Sequence, residues 1–152
     1  MATKLEAVNR VLGRLGRPPV AALNVKGTSI QAEVERDMDE LHVRMLQREW
    51  IFNQRLDTTV EPITEGENAG RIDLTAIEDG ERVLMVRGAS ADRGRNLTRK
   101  GDFLYDLDRN TDIFESAVNL DWLHTVPFED LPDEFVDVLV AECALVRLHR
   151  AF

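Results

Sequence analysis

The chain has 152 residues, 43% hydrophobic and 31% charged, with a formal net charge of −9; that balance suits one globular domain with a real core. No apolar run approaches the ~20 residues that span a bilayer, and Met1-Ala-Thr-Lys-Leu-Glu6 lacks a signal-peptide layout. A single cysteine, Cys143, excludes an intrachain disulfide and points to a reducing cytoplasm, where the sequon Asn96-Leu97-Thr98 is chance.

The spacing predicts a first helix over about 4–15. Thr3-Lys4-Leu5-Glu6 has the form of a capping box, in which the Thr hydroxyl and the Glu carboxylate each take an orphan N–H. Leu5, Val8, Leu12 and Leu15 make one apolar stripe. Gly16 fits the left-handed position after the helix, and Pro18-Pro19 prevent restart. An extended connection over 17–27 offers Val20, Leu23 and Val25 for packing. A second helix is predicted over about 28–48, opened by Thr28-Ser29-Ile30-Gln31, with Ile30, Val34, Met38, Leu41, Met45 and Leu46 on its apolar face. Arg36/Glu40 and Glu40/Arg44 are spaced for i,i+4 pairs. Trp50 and Phe52 are expected to anchor the end of this helix in the core.

From Asn53 to about His124 the helical period gives way to short apolar runs among Gly and Asp. Residues 72–76, 82–87, 96–99, 103–106 and 118–124 read as strands. Lys100-Gly101-Asp102 suggests a hairpin turn, Asp108-Arg109-Asn110-Thr111 another turn, and 61–70 and 88–94 loops, the first expected to be mobile. A last helix, over about 132–150, places Pro132 at its first position and Asp133 and Glu134 in its first turn. Apolar residues from Phe135 to Val146 ring almost its whole circumference, so it is expected to be buried on several sides, in part against another subunit. The fold class is α+β: three main helices with a small antiparallel β-domain between the second and third. The chain reads as a single domain, with a helical part (1–52 and 128–152) and a β-rich part (53–127).

Charge is distributed unevenly. Residues 82–100 carry Arg82, Arg87, Arg93, Arg95, Arg99 and Lys100 against only Asp92, whereas 101–142 carry twelve acids against Arg109 alone. Segments this different suggest a charged partner or a self-complementary assembly; a solvated surface is the plain alternative.

Catalytic patterns are missing from the sequence. His42, His124 and His149 are far apart, with no second cysteine for zinc. There is no Gly-x-Ser-x-Gly elbow, Walker loop or Gly-x-Gly-x-x-Gly. The basic, glycine-rich 87–95 run is not followed by a helix start, as a phosphate cradle requires. Glu61, Glu65 and Glu67 could serve a polysaccharide hydrolase only if held at a fixed separation, which a mobile loop does not provide. Cys143 lies on an apolar helix and reads as a core residue. No cofactor, metal or catalytic residue is expected. DNA binding by residues 82–100 is the principal alternative from another class, opposed by the net negative charge and by the scarcity of aromatic residues in that segment.

Two blocks, Ala7-Val-Asn-Arg-Val-Leu-Gly-Arg-Leu-Gly-Arg-Pro-Pro-Val20 and Arg48-Glu-Trp-Ile-Phe-Asn53, resemble the start of the tail tubular protein A family of short-tailed bacteriophages. Asn96–Asp106, Asn110–Phe114 and Phe128–Phe135 are similar to later blocks of that family, in the same order. The chain ends at Phe152, where relatives continue with more helix, which leaves any contact made by that extension in doubt. The resemblance implies a virion protein of the head-to-tail junction, assembled in the bacterial host cytoplasm. It implies a homo-oligomeric ring, typically a dodecamer, below the portal protein and above the tail nozzle (tail tubular protein B). DNA passes through its bore without sequence-specific binding, and no membrane is involved. A ring needs two complementary surfaces per subunit. Arg87, Arg93, Arg95, Arg99, Lys100, Asp133, Glu134 and Asp137 are expected to be interface residues, with Arg93, Arg95, Arg99 and Lys100 meeting a neighbouring subunit or the portal. Gly16, Pro18, Pro19, Trp50, Phe52, Pro132 and Phe135 are expected to be framework anchors.

Overall fold

A computed structural model describes residues 2–24, 27, 29–48, 50–78 and 81–151. The chain divides into two units, residues 1–45 with 126–152 and residues 46–125. As expected, three helices are joined to a small antiparallel β-domain inserted between the second and third.

In the first unit, α1 (Lys4–Arg14) is fixed at both ends by its own sequence. The Glu6 amide donates to Thr3 Oγ1 at 3.2 Å, and the Thr3 amide donates to Glu6 Oε2 at 3.3 Å. Such a box is worth about 1 kcal/mol. At the other end Gly16 has φ +70, which lets the Arg17 amide reach back to the Leu12 carbonyl at 2.8 Å. Helix α2 is assigned over Ile30–Leu46. Ser29 Oγ accepts from the Ala32 amide at 3.3 Å and caps it; Thr28 and Val25 lie outside the described residues. Helix α3 spans Asp133–Ala151. Pro132 precedes its first residue and accepts the Val136 amide through its carbonyl at 3.1 Å, one position earlier than predicted.

Val8, Val11 and Leu12 of α1, Val34, Met38 and Met45 of α2, and Phe135, Leu139, Val140 and Cys143 of α3 are buried. Burying each of the larger side chains contributes roughly 1.5–3 kcal/mol. Helix α1 packs along α3, and α2 runs antiparallel to α3: Cys143 lies against Val34, and His42 meets Phe135 nearer the start of α3. The chain covers only part of α3's apolar circumference. Val138, Leu145 and Leu148 remain 39%, 55% and 41% exposed on one flank.

The second unit holds two sheets. Strands β1 (Gln54–Val60), β5 (Val118–His124) and β2 (Val83–Gly88) form an antiparallel sheet with β5 in the centre, and β3 (Leu97–Lys100) and β4 (Phe103–Asp106) form a hairpin. Val118, Leu120 and Trp122 alternate along β5 and point into a core with Val60, Ile72, Leu74, Val83, Leu104 and Phe114. Strand β1 was not anticipated. Conversely, the strand expected at 72–76 is a single bridge, Asp73 to Phe103, followed by a 3-10 turn over Leu74–Ile77. The cause is local: Asp73 Oδ1 accepts the Thr75 amide at 2.9 Å, a turn that competes with strand pairing. The 61–70 loop is tied at its base by amide bonds between Ile63 and Gly70–Arg71.

Candidate functional site

Three of the six cations of the basic segment are ion-paired within their own unit. Arg95 donates to Asp92 at 3.0 Å and to Asp106 at 2.9 Å, with its guanidinium over the Phe114 ring. Asp106 is 2% exposed and also accepts the amides of Asp108 and Arg109. The bond from Arg95 holds its carboxyl below the usual range against the opposing effect of burial, and raises the Arg95 pKa in return. Arg99 pairs with Glu78 and reaches the Val83 carbonyl at 2.9 Å. Burial alone would raise the Glu78 pKa; the bonds from Arg99 and the Val83 amide outweigh it and keep it low. Arg87 meets Asp121 at 3.3 Å. Arg93 is exposed, with no ion pair among the described residues, and the exposed Lys100 lies 4.5 Å from the Tyr105 ring centre.

This network extends into the central sheet. Asp92 Oδ2 accepts the Asn119 amide at 2.8 Å, and Asp121 Oδ1 accepts the Asp57 amide at 2.7 Å. Asp57 and Ser90 both have φ +49, and their side chains bond each other at 2.6 Å. Gly88 is needed beside them because a Cβ there would lie 1.9 Å from the Asp92 carbonyl oxygen.

The acidic candidates lie in the helical unit. Asp133 and Glu134 are exposed in the first turn of α3, and Asp137 pairs with Arg10 at 2.7 Å. The opposite end of this unit is basic. The end of α1, the start of α2 and the end of α3 enclose a groove of about 270 Å³ lined by Leu15, Arg17, Ile30, Arg147, Leu148 and Arg150. Arg147 bonds Asp37 and Glu33, which raises its pKa.

Neither unit brings the earlier catalytic candidates together. Glu61, Glu65 and Glu67 are all exposed on one loop. Cys143 is buried, and desolvation pushes its thiol up to about 12. Among the described residues no group of three His, Cys, Asp or Glu side chains is placed to hold a metal ion, and no helix is long and apolar enough to cross a membrane.

The tail tubular protein family matches this chain over residues 5–152, from the first turn of α1 to the last residue. The chain belongs to the tail tubular protein family. No individually curated protein matches it. As a tail tubular protein it is a structural component of the phage virion.

The first two family blocks of this tail tubular protein, and the connection between them, hold polar clasps. Asn9, inside the first block, accepts the Val20 amide at 2.8 Å and donates to the Val20 carbonyl at 3.0 Å, fastening the connection that carries Pro18 and Pro19 back onto α1. Buried Glu35 accepts the Asn24 amide with both carboxylate oxygens, at 2.8 and 2.9 Å. Trp50 and Phe52 are half-buried, with ring centres 6.0 Å apart. The fully buried residue of that block is Asn53, which donates to the Leu46 carbonyl at 2.6 Å. Phe135 is buried with its ring 6.1 Å from His42. Sequence reasoning passed over Asn9, Glu35 and Asn53. Their signal was a polar residue at the edge of an otherwise apolar stripe or block.

Proposed function

We propose that this protein is the head-to-tail adaptor of a short-tailed phage, acting as a single adaptor domain. The carrying observation is the family match across residues 5–152. In this reading the protein forms a homo-oligomeric ring, a dodecamer by family resemblance, between the portal and the nozzle built by tail tubular protein B. DNA crosses the bore without sequence-specific binding, and assembly takes place in the host cytoplasm. The role is structural, not enzymatic.

Physical arguments support the reading. A net charge of −9 repels phosphates, which suits a wall along which DNA must slide. Ion pairing of Arg87, Arg95 and Arg99 removes three of the cations that a DNA-binding surface on residues 82–100 would use. The contact role proposed for the charged candidates therefore narrows. Arg93, Lys100, Asp133 and Glu134 act as contact groups, while Arg87, Arg95, Arg99 and Asp137 hold the subunit together. The test is electron microscopy of the purified protein alone and with DNA-filled capsids. Rings, or added density at the portal vertex, are the expected result. Particles that mature with working tails in its absence would overturn the reading.

A further inference from the structure

We propose that subunits join head to tail by seating the acidic, apolar 107–115 loop of one copy in the basic groove of the next copy's helical unit. This rests on the assembly reading above and gives its interface named surfaces. The groove has an apolar floor, Leu15, Ile30 and Leu148, with Arg17 exposed at its rim beside Arg150, which bonds Asp37 at 3.2 Å yet keeps 58% of its side chain exposed. Helix dipoles account for a cation at the end of α3. They do not account for Arg17, which lies beyond α1 and has no ion pair among the described residues, nor for Leu148 being 41% exposed. Leu148 also continues the bare flank formed by Val138 and Leu145, so the groove opens onto an apolar strip.

The occupant must bring both apolar tips and carboxylates. The 107–115 loop does: Leu107 and Ile113 are 56% and 50% exposed, and Asp108 and Glu115 are exposed beside them. Arg109 is the one cation on this loop. The turn is rigid, closed by the reciprocal amide bonds of Asp106 and Thr111 at 2.8 and 3.2 Å, so little ordering entropy is lost on docking. The other acidic candidate, residues 129–134, fits less well because its apolar residues Phe128 and Leu131 are buried and only carboxylates face outward. The cations of residues 82–100 fit less well as the basic half, since Arg95 and Arg99 keep only 30% and 15% of their side chains exposed in their pairs, against 58% for Arg150. Groove and loop are different surfaces of one chain, so the contact repeats from copy to copy as a ring requires.

The test uses the full chain with Ile113→Cys and Leu148→Cys on a Cys143→Ser background, incorporated into phage particles and oxidised. A ladder of disulfide-linked multimers is expected, with neither single-cysteine variant producing one. Arg17→Glu with Arg150→Glu should reduce incorporation at least tenfold, and adding Asp108→Lys and Glu115→Lys to the same chain should restore it. A thermal melt of each variant separates lost contact from lost folding, and Arg17→Glu alone serves if the double variant does not fold. Particles that contain the protein but give no ladder, or a ladder indifferent to charge reversal, overturn this interface while leaving the assembly role standing. Particles that lack the wild-type chain overturn the assembly role itself.

Discussion

The helical unit and the β unit handle charge in opposite ways. In the β unit three arginines pair with carboxylates on nearby strands and turns: Arg95 with Asp92 and Asp106, Arg99 with Glu78, Arg87 with Asp121. In the helical unit exposed charges collect at the two ends, alongside pairs such as Arg44 with Glu40 and Arg150 with Asp37. Glu129, Asp130, Asp133 and Glu134 are exposed at the start of α3, and Arg14, Arg17 and Arg150 are exposed at the other end. The most basic segment of the sequence therefore offers fewer free cations than its composition suggests, and a region with no conspicuous charge run offers a basic groove. Net charge along a segment measures a surface only where the fold has not already paired it.

That contrast can be broken at several points. The largest effect is expected from Arg95→Ala. It leaves Asp106, which is 2% exposed, without its guanidinium. Removing one partner of a buried pair costs about 3–5 kcal/mol; the remaining amides to Asp106 moderate this to about 2–3. Urea unfolding should show that loss, and a change below about 0.5 kcal/mol, typical of a surface site, would mean the network is not structural. A middle-sized effect is expected in the helical unit from Asn9→Ala. Both Val20 bonds vanish, at a cost of about 1–2 kcal/mol by the same measurement.

The smallest effect is a pH dependence. Burial lowers the His42 pKa, against its Nε2 bond to the Val126 carbonyl and the facing charges of Asp39 and Glu129, with Lys4 adding to the lowering. In the unfolded chain the imidazole titrates near ~6.5. Between that value and the lower folded one, the unfolded state binds the extra proton, so stability falls as pH drops through the window. His42→Gln should flatten the slope of urea midpoint against pH between about 7.5 and 5.5; an unchanged slope would assign it to other groups.

What could be read in advance follows from distance along the chain. The ends of α1 were legible because Thr3, Glu6 and Gly16 act within a turn of where they stand. The β3–β4 hairpin was legible from two short runs about one turn. Strand β1 was not, because Gln54-Arg-Leu-Asp-Thr-Thr-Val60 shows no apolar alternation, and its bulge between Arg55 and Thr58 breaks the period further. Ile72–Ala76 looked like a strand because apolar content says nothing of Asp73 capturing the Thr75 amide. The candidate contact residues were named from charge alone. Their pairing depends on strands brought together by the fold, such as Arg99 with Glu78 across twenty-one positions. The groove was invisible for the same reason: its walls come from residues 15–17, 30 and 147–150.

Arg95 has a mechanical consequence. One guanidinium grips Asp106 on the hairpin and Asp92 on the turn before it, while Asp92 also holds the Asn119 amide of β5. These links run one after another from the hairpin to the central sheet, so a force separating the two passes through each of them. Links in series each carry the whole pull, so the weakest of them sets the force at which the path opens. Along this path the grip of the hairpin on the sheet is accordingly set by its weakest joint, and cutting it at Arg95 releases Asp106 and Asp92 from each other.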